Sequence, residues 1–295
     1  MKIGLWSDCH NFPSIPAMKL SAYHKARGDD VELWQPMMEY DKVYCSKVFD
    51  FTPDAEDLGI IRADEVERGG SGYGDYKTVL RPEVEHIYPD YGLYPQYKEA
   101  YGFLTRGCPR GCGFCIVSGK EGRASNQVAD LSEFWRGQRT IKLLDPNLLA
   151  CREHERLLQQ LADSGAWVDF TQGLDVRITT PDNIVLLNRV QTKMLHFAWD
   201  NPEDDLTDYF LRFAELSTVT DYRKRGVYVL TNYGSTHEQD LYRINTLRKI
   251  GFDPYVMIYD KAHAPRITRS LQRWCNNKLI FRSEPDFRKY NPKRG

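Results

Sequence analysis

The chain has 295 residues, with 40 Lys and Arg against 41 Asp and Glu, a net charge of −1, 41% hydrophobic and 27% charged residues. This balance, with 13% aromatic residues, excludes a disordered chain and suits one large core or two smaller ones. Near-neutrality excludes a protein that works by bulk attraction to phosphate, leaving only a local basic groove open, and the longest apolar runs, 227–230 and 255–259, are far too short to span a bilayer.

In chain order, residues 2–6 read as a strand, followed by the polar loop Ser7-Asp8-Cys9-His10-Asn11-Phe12-Pro13. A helix is expected after Pro16, with Met18, Leu20, Ala22 and Tyr23 on its inner side and an end near Gly28. Residues 31–34 and 42–45 read as the next strands, 68–74 as a glycine-rich loop, and the Tyr- and Pro-rich stretch 87–97 as a connection. From about residue 99 the rhythm becomes regular, with strands expected at 101–105, 140–144, 167–171, 193–199, 226–231 and 254–259. Apolar helical stripes fall between them, Leu157, Leu158 and Leu161 before Gly165, and Leu241, Ile244, Leu247 and Ile250 before Gly251.

Six strands alternating with helices suit an open or partial β/α barrel, and a doubly wound sheet has the same linear signature. The fold expected is α/β, a Rossmann-like module over 1–97 followed by a partial (β/α)6 TIM-type barrel with a C-terminal extension over 98–295. The first residues turn polar at Ser7-Asp8, too early for a signal peptide, so the location expected is cytoplasmic. Seven cysteines in such a compartment point to metal binding or thiols rather than a disulfide framework.

The most specific pattern is Thr105-Arg106-Gly107-Cys108-Pro109-Arg110-Gly111-Cys112-Gly113-Phe114-Cys115, three thiols at C-x3-C-x2-C spacing directly after the first strand of the regular part. Two glycines and a proline let the backbone turn sharply enough to aim three sulfurs at one point. Thiolates are soft ligands that suit an iron–sulfur cluster or zinc. A structural zinc wants four ligands, and no fourth Cys or His is nearby in the chain. Three ligands on a cubane leave one iron open.

This motif resembles that of the radical S-adenosylmethionine superfamily, and the resemblance covers about residues 99–259. It implies that Cys108, Cys112 and Cys115 hold a [4Fe-4S] cluster whose free iron chelates S-adenosylmethionine, with Phe114 beside the adenine and an external donor of the flavodoxin or ferredoxin type supplying the electron. Reductive cleavage would then yield a 5′-deoxyadenosyl radical that takes hydrogen from a substrate the sequence does not identify.

Barrel chemistry collects at the C-terminal ends of strands, which gives the remaining candidates for S-adenosylmethionine. Asp145 and Asn147 follow the second strand, where many members of the family carry a Gly-Gly-Glu-like segment; Asp145 either supplies that carboxylate or caps the next helix. Gln172 and Arg177 follow the third strand, Arg177 either clamping a carboxylate or pairing with Asp175. Asn232 follows the fifth strand, and Met257 lies in the sixth, flanking adenine or packing in the core.

The N-terminal part resembles, more loosely, the cobalamin-binding domain that precedes some barrels of this superfamily. Asp8-Cys9-His10 matches the start of its D-x-H-x-x-G, but Pro13 stands where the glycine belongs, so cobalamin is not expected. Within the enzyme class the alternatives are a cobalamin-dependent radical methyltransferase and an RNA-modifying methylthiotransferase; the N-terminal part has only Cys9 and Cys45, too few for the second cluster of the latter. Outside it stands a non-catalytic zinc or iron–sulfur module. The mixed basic and aromatic stretches 273–278 and 287–290 read as a solvated edge and a basic tail, with nucleic acid the less favoured partner. Cys9, Cys45, Cys151 and Cys275 read as buried thiols.

Overall fold

A computed structural model of the chain describes residues 1–291. The strands are β1 (Lys2–Ser7), β2 (Asp30–Leu33), β3 (Glu39–Ser46), β4 (Arg62–Gly69), β5 (Ala100–Gly102), β6 (Thr105–Arg106), β7 (Asn126–Gln127), β8 (Thr140–Leu143), β9 (Trp167–Leu174), β10 (Thr192–Ala198), β11 (Arg225–Thr231) and β12 (Asp253–Ile258). The helices are α1 (Ile15–Ala26), α2 (Ala55–Leu58), α3 (Pro82–Glu85), α4 (Val117–Lys120), α5 (His154–Ser164), α6 (Pro181–Arg189), α7 (Thr207–Leu216), α8 (His237–Ile250), α9 (Arg266–Asn276) and α10 (Lys278–Ser283). The fold is mixed α/β, a four-stranded sheet in the order β2-β1-β3-β4 followed by a six-stranded sheet in the order β12-β11-β10-β9-β8-β5. The first is parallel throughout, as are the pairs β9–β10, β10–β11 and β11–β12. This is the expected Rossmann-like module and (β/α)6 arrangement.

Contacts divide the described residues into two compact units, the first comprising Met1–Arg123 and Gln127–Lys142, the second Ala124–Asn126 and the residues from Leu143 onward. In the first, Trp6, Trp34, Tyr40, Val43, Cys45 and Ala55 form a buried cluster. Ser14 caps α1, with Pro16 within its first turn, where its missing N–H costs nothing. The inner face of α1 differs from its apolar pattern. Met18 and Leu20 are buried as expected, but Ala22 and Tyr23 are only half-buried, and Ser21 and His24 are buried in their place. Both polar side chains are satisfied, Ser21 Oγ donating to Asp90 at 2.7 Å and His24 contacting Asp29 at 2.7 Å and the Tyr44 hydroxyl at 3.1 Å, so their burial leaves no lost hydrogen bond.

In the second unit the core is aromatic. Phe197, Trp199, Phe210, Phe213 and Phe252 are all buried, with ring centroids 4.8 Å apart for Phe197–Phe213 and 4.9 Å for Phe210–Phe252. Burying each phenyl group stabilises the unit by about 2–3 kcal/mol against the unfolded chain. Helices α5 and α8 end at Gly165 (φ 65°) and Gly251 (φ 94°), both left-handed C-caps at the expected stops. On the other face of the sheet Met194, His196 and Tyr228 are half-buried and Tyr255 and Met257 exposed, with Asp169 buried beside them.

Candidate functional site

In the first unit, β6 runs into the three-cysteine loop. Gly107 (φ 87°) and Gly111 (φ 60°) both take the left-handed conformation that a side chain disfavours. The loop is pinned at both ends. The Cys108 amide donates to Gly122 O at 3.2 Å and the Cys115 amide to Cys112 O at 3.0 Å. Glu121 accepts from the Gly107 amide at 3.1 Å and pairs with Arg106 at 3.1 Å. Cys108, Cys112 and Phe114 are half-buried and Cys115 is exposed; all seven cysteines are thiols. Among the described residues no three His, Cys, Asp or Glu side chains are grouped to hold a metal ion. A preformed site is uncommon where metal binding itself supplies the ordering free energy. The donor set fits an iron–sulfur cluster by its chemistry, three thiols on one accessible loop whose turns are made by glycine.

The residues compared with the cobalamin-binding pattern lie at other loops of this unit. In a parallel sheet ordered β2-β1-β3-β4 a ligand lies where the order reverses, at the carboxyl ends of β1 and β3. There buried Asp8 accepts from the Val48 and Phe49 amides, both at 2.9 Å, and from Thr52 Oγ1 at 2.8 Å. Phe12 packs edge-on against Phe49 at 6.5 Å, and His10 is exposed. These bonds tie the loop after β1 to the loop after β3.

In the second unit the candidate residues fall at three places. Asp145 and Asn147 are both buried, the latter at the N-cap position of the turn Leu148–Ala150, its carbonyl accepting from Ser125 Oγ at 2.9 Å. Gln172 is exposed on an irregular stretch of β9. Arg177 is held by its own turn, with Nε 2.8 Å and Nη2 3.3 Å from the two Asp175 oxygens and Nη1 3.3 Å from Asp204. Its fork is thereby occupied in the manner of the pairing alternative. Asn232 follows the end of β11 and Met257 lies in the adjacent strand β12. Asn232 is left-handed (φ 62°) and donates from Nδ2 to Tyr259 O at 2.8 Å, while Met257 is 46% exposed, which removes it from the core.

Sequence reasoning missed the group that builds these strand ends. Arg243, buried in α8, pairs with Asp240 at 2.6 Å and donates to Trp199 O at 2.7 Å, Asp200 O at 3.0 Å and Leu230 O at 3.0 Å, the carboxyl ends of β10 and β11. Burial pushes the Asp200 carboxyl up to about 6, against the opposing pull of Arg243 and Arg177. A strongly displaced carboxyl at a strand end is a recognised mark of a functional position. The available signal was Asp240, Ile244 and Leu247 at helical spacing, a stripe that places Arg243 beside the core. The aromatic of the basic stretch 273–278 is no stacking platform, since Trp274 is fully buried and donates to Glu284 O at 2.7 Å.

Among solved structures, the chain is similar to the radical S-adenosylmethionine methyltransferase TsrM from Kitasatospora setae with cobalamin and [4Fe-4S] cluster bound, at 12% identity over 86% of this chain and 66% of that one, TM-score 0.43. It is also similar to TsrM with tryptophan substrate and the analogue aza-SAM bound, at 13% identity over 86% and 67%, TM-score 0.41. The chain thus spans about two thirds of the length of those chains. No family model and no curated protein matches it. Among the described residues no helix is long and apolar enough to cross a membrane.

Proposed function

We propose that the chain is a radical S-adenosylmethionine enzyme in which Cys108, Cys112 and Cys115 hold a [4Fe-4S] cluster. When bound, such a cluster passes one electron from an external flavodoxin- or ferredoxin-type donor to S-adenosylmethionine, splitting it to methionine and a 5′-deoxyadenosyl radical that takes a hydrogen atom from the substrate. The observation that carries the reading is the C-x3-C-x2-C loop itself, its thiols at or near the surface and its turns made by left-handed glycines. Cys115 is exposed, as incoming iron and sulfide require. Phe114 adds an aromatic within the loop.

In this reading the candidate residues at the strand ends serve to bind and orient the cosubstrate. Asn232, Met257 and Gln172 are accessible and serve its nucleoside end. Arg177 contributes through its charge rather than a bidentate clamp, because Asp175 already holds its fork. Buried Asp145 and Asn147 act by shaping the loop after β8.

Anaerobic reconstitution with iron and sulfide tests the reading. The wild-type chain should take up about four iron and four sulfide and form 5′-deoxyadenosine with dithionite. Cys112→Ala should lose both while keeping its far-ultraviolet circular dichroism. Full 5′-deoxyadenosine formation by Cys112→Ala, or one zinc per wild-type chain in place of iron, would overturn it.

A further inference from the structure

The three-cysteine loop carries an uneven charge. Between Thr105 and Arg123 the cations are Arg106, Arg110, Lys120 and Arg123, against the single carboxylate Glu121. Arg106 and Arg110 are both engaged, Arg106 pairing with Glu121 at 3.1 Å and lying on Phe103, its guanidinium carbon 3.9 Å from the ring centroid. Among the described residues no carboxylate pairs with Lys120 or Arg123. Both cations sit beside the thiols. Ile116, directly after Cys115, is the N-cap of α4, and the Lys120 amide donates to Ile116 O at 2.9 Å. Residues four apart share a helix face, so Lys120 stands beside Ile116, which is 52% exposed. Arg123 is exposed and lies against the turn before Cys112, its guanidinium carbon 3.6 Å from where a Cβ on Gly111 would stand.

Such a face attracts either a nucleic acid or an acidic protein. Single-stranded nucleic acid also asks for aromatic faces on which bases stack. The aromatic side chains nearest in the chain, Phe103 and Phe114, are both half-buried, the former under Arg106. The exposed apolar side chain of Ile116 suits a protein partner instead, and redox encounters between proteins use small interfaces. The chain as a whole carries a charge of −1. An acidic partner therefore feels no general attraction, and only a local patch can steer it.

We propose that Ile116, Lys120 and Arg123 form the docking surface for the one-electron carrier, and that this carrier is a small protein whose redox group is ringed by carboxylates. Its role rests on the reading of Cys108, Cys112 and Cys115 as cluster ligands. One electron leaves the docked carrier, which is oxidised by one, and enters the cluster, with no bond made or broken. The surface itself is present in the chain without iron. A chain that takes up no iron yet binds an acidic carrier through these cations supports the surface and sinks the cluster reading. A loaded chain that an acidic carrier reduces equally well with and without these cations overturns the surface alone.

The test uses the full chain, before and after loading with iron and sulfide, with flavodoxin as an acidic carrier and cytochrome c as a basic one, by isothermal titration. Flavodoxin should bind at least about tenfold more tightly than cytochrome c at low salt, and the preference should fade at high salt. Lys120→Glu with Arg123→Glu should weaken flavodoxin at least about tenfold and slow flavodoxin-driven 5′-deoxyadenosine formation to match. The dithionite-driven rate should stay unchanged, because dithionite needs no docking surface. Equal binding of the two carriers, or unchanged flavodoxin binding in the double variant, would overturn the surface. So would a poly(dT) oligonucleotide that binds in place of flavodoxin and is lost in the double variant. Should the double variant fail to fold, Lys120→Gln and Arg123→Gln decide singly. Weaker flavodoxin binding in either supports the surface, and unchanged binding in both overturns it.

Discussion

Burial separates the seven thiols into two sets. Cys9, Cys45, Cys151 and Cys275 are buried, whereas Cys108 and Cys112 are half-buried and Cys115 exposed. Burial pushes the Cys9 and Cys45 thiols up to about 11 and Cys275 up to about 12, and only the thiolate is nucleophilic. Iodoacetamide at about pH 8 should therefore label Cys108, Cys112 and Cys115 first, and the other four only after denaturation, as mapped by peptide mass. Labelling of Cys275 as fast as Cys115 would contradict this sorting. The three-cysteine loop was legible because its chemistry lies within eleven consecutive residues, 105–115. The stacking of His196 on Tyr228 was not, because it needs the Phe170 carbonyl, Tyr228 and the empty side of Gly226, three groups brought together only by sheet register.

Elements differ in legibility for similar reasons. Strands β9 to β12 were readable since buried parallel strands are apolar runs, and α5 and α8 were readable from their stripes and glycine stops. Strand β4, Arg62–Gly69, was missed, its last two residues having been read as the start of a glycine-rich loop. It is an edge strand paired only with β3, and its charges are solvated, Lys42 reaching Glu65 at 2.8 Å and Glu67 at 2.9 Å. Charged edges are a normal protection against further pairing, which erases the apolar signal. Helix α8 carries the most consequential buried pair. Arg243→Met removes the donor from three strand-end carbonyls and leaves Asp240 buried without its cation, so it should destabilise the chain by about 3–5 kcal/mol in denaturant unfolding. Arg243→Met with Asp240→Leu should cost less than the single change, because the orphaned charge goes too. A single-variant loss under about 1 kcal/mol would remove the pair from the account.

Across the whole molecule, a net charge of −1 leaves little general repulsion, so individual carboxyls set how stability varies with pH. Asp29, Asp75, Asp205, Asp221 and Asp286 are held below the ordinary carboxylate range, chiefly by side-chain hydrogen bonds from His24, Thr78, Thr207, Arg223 and Arg288 respectively. A lowered carboxyl stabilises the folded chain above its unfolded value, and this is lost as pH falls below about 4. Asp200 acts with the opposite sign. Raised by burial to about 6, it binds its proton more tightly in the folded chain, so stability declines as pH rises from about 4 to about 6. Buried Asp240, also raised by burial, adds to the same decline. Wild-type stability should therefore peak in mildly acidic buffer. Asp200→Asn should match the wild type near pH 4 and exceed it at pH 7 by about 1–2 kcal/mol, after discounting the full shift for partial exposure. Added salt should flatten the acid limb, whose groups are mostly on the surface, and leave the Asp200 limb in place. Melting temperatures across pH at low and high salt check both limbs, and an Asp200→Asn profile parallel to the wild type from pH 4 to 7 would remove Asp200 as the cause of the decline.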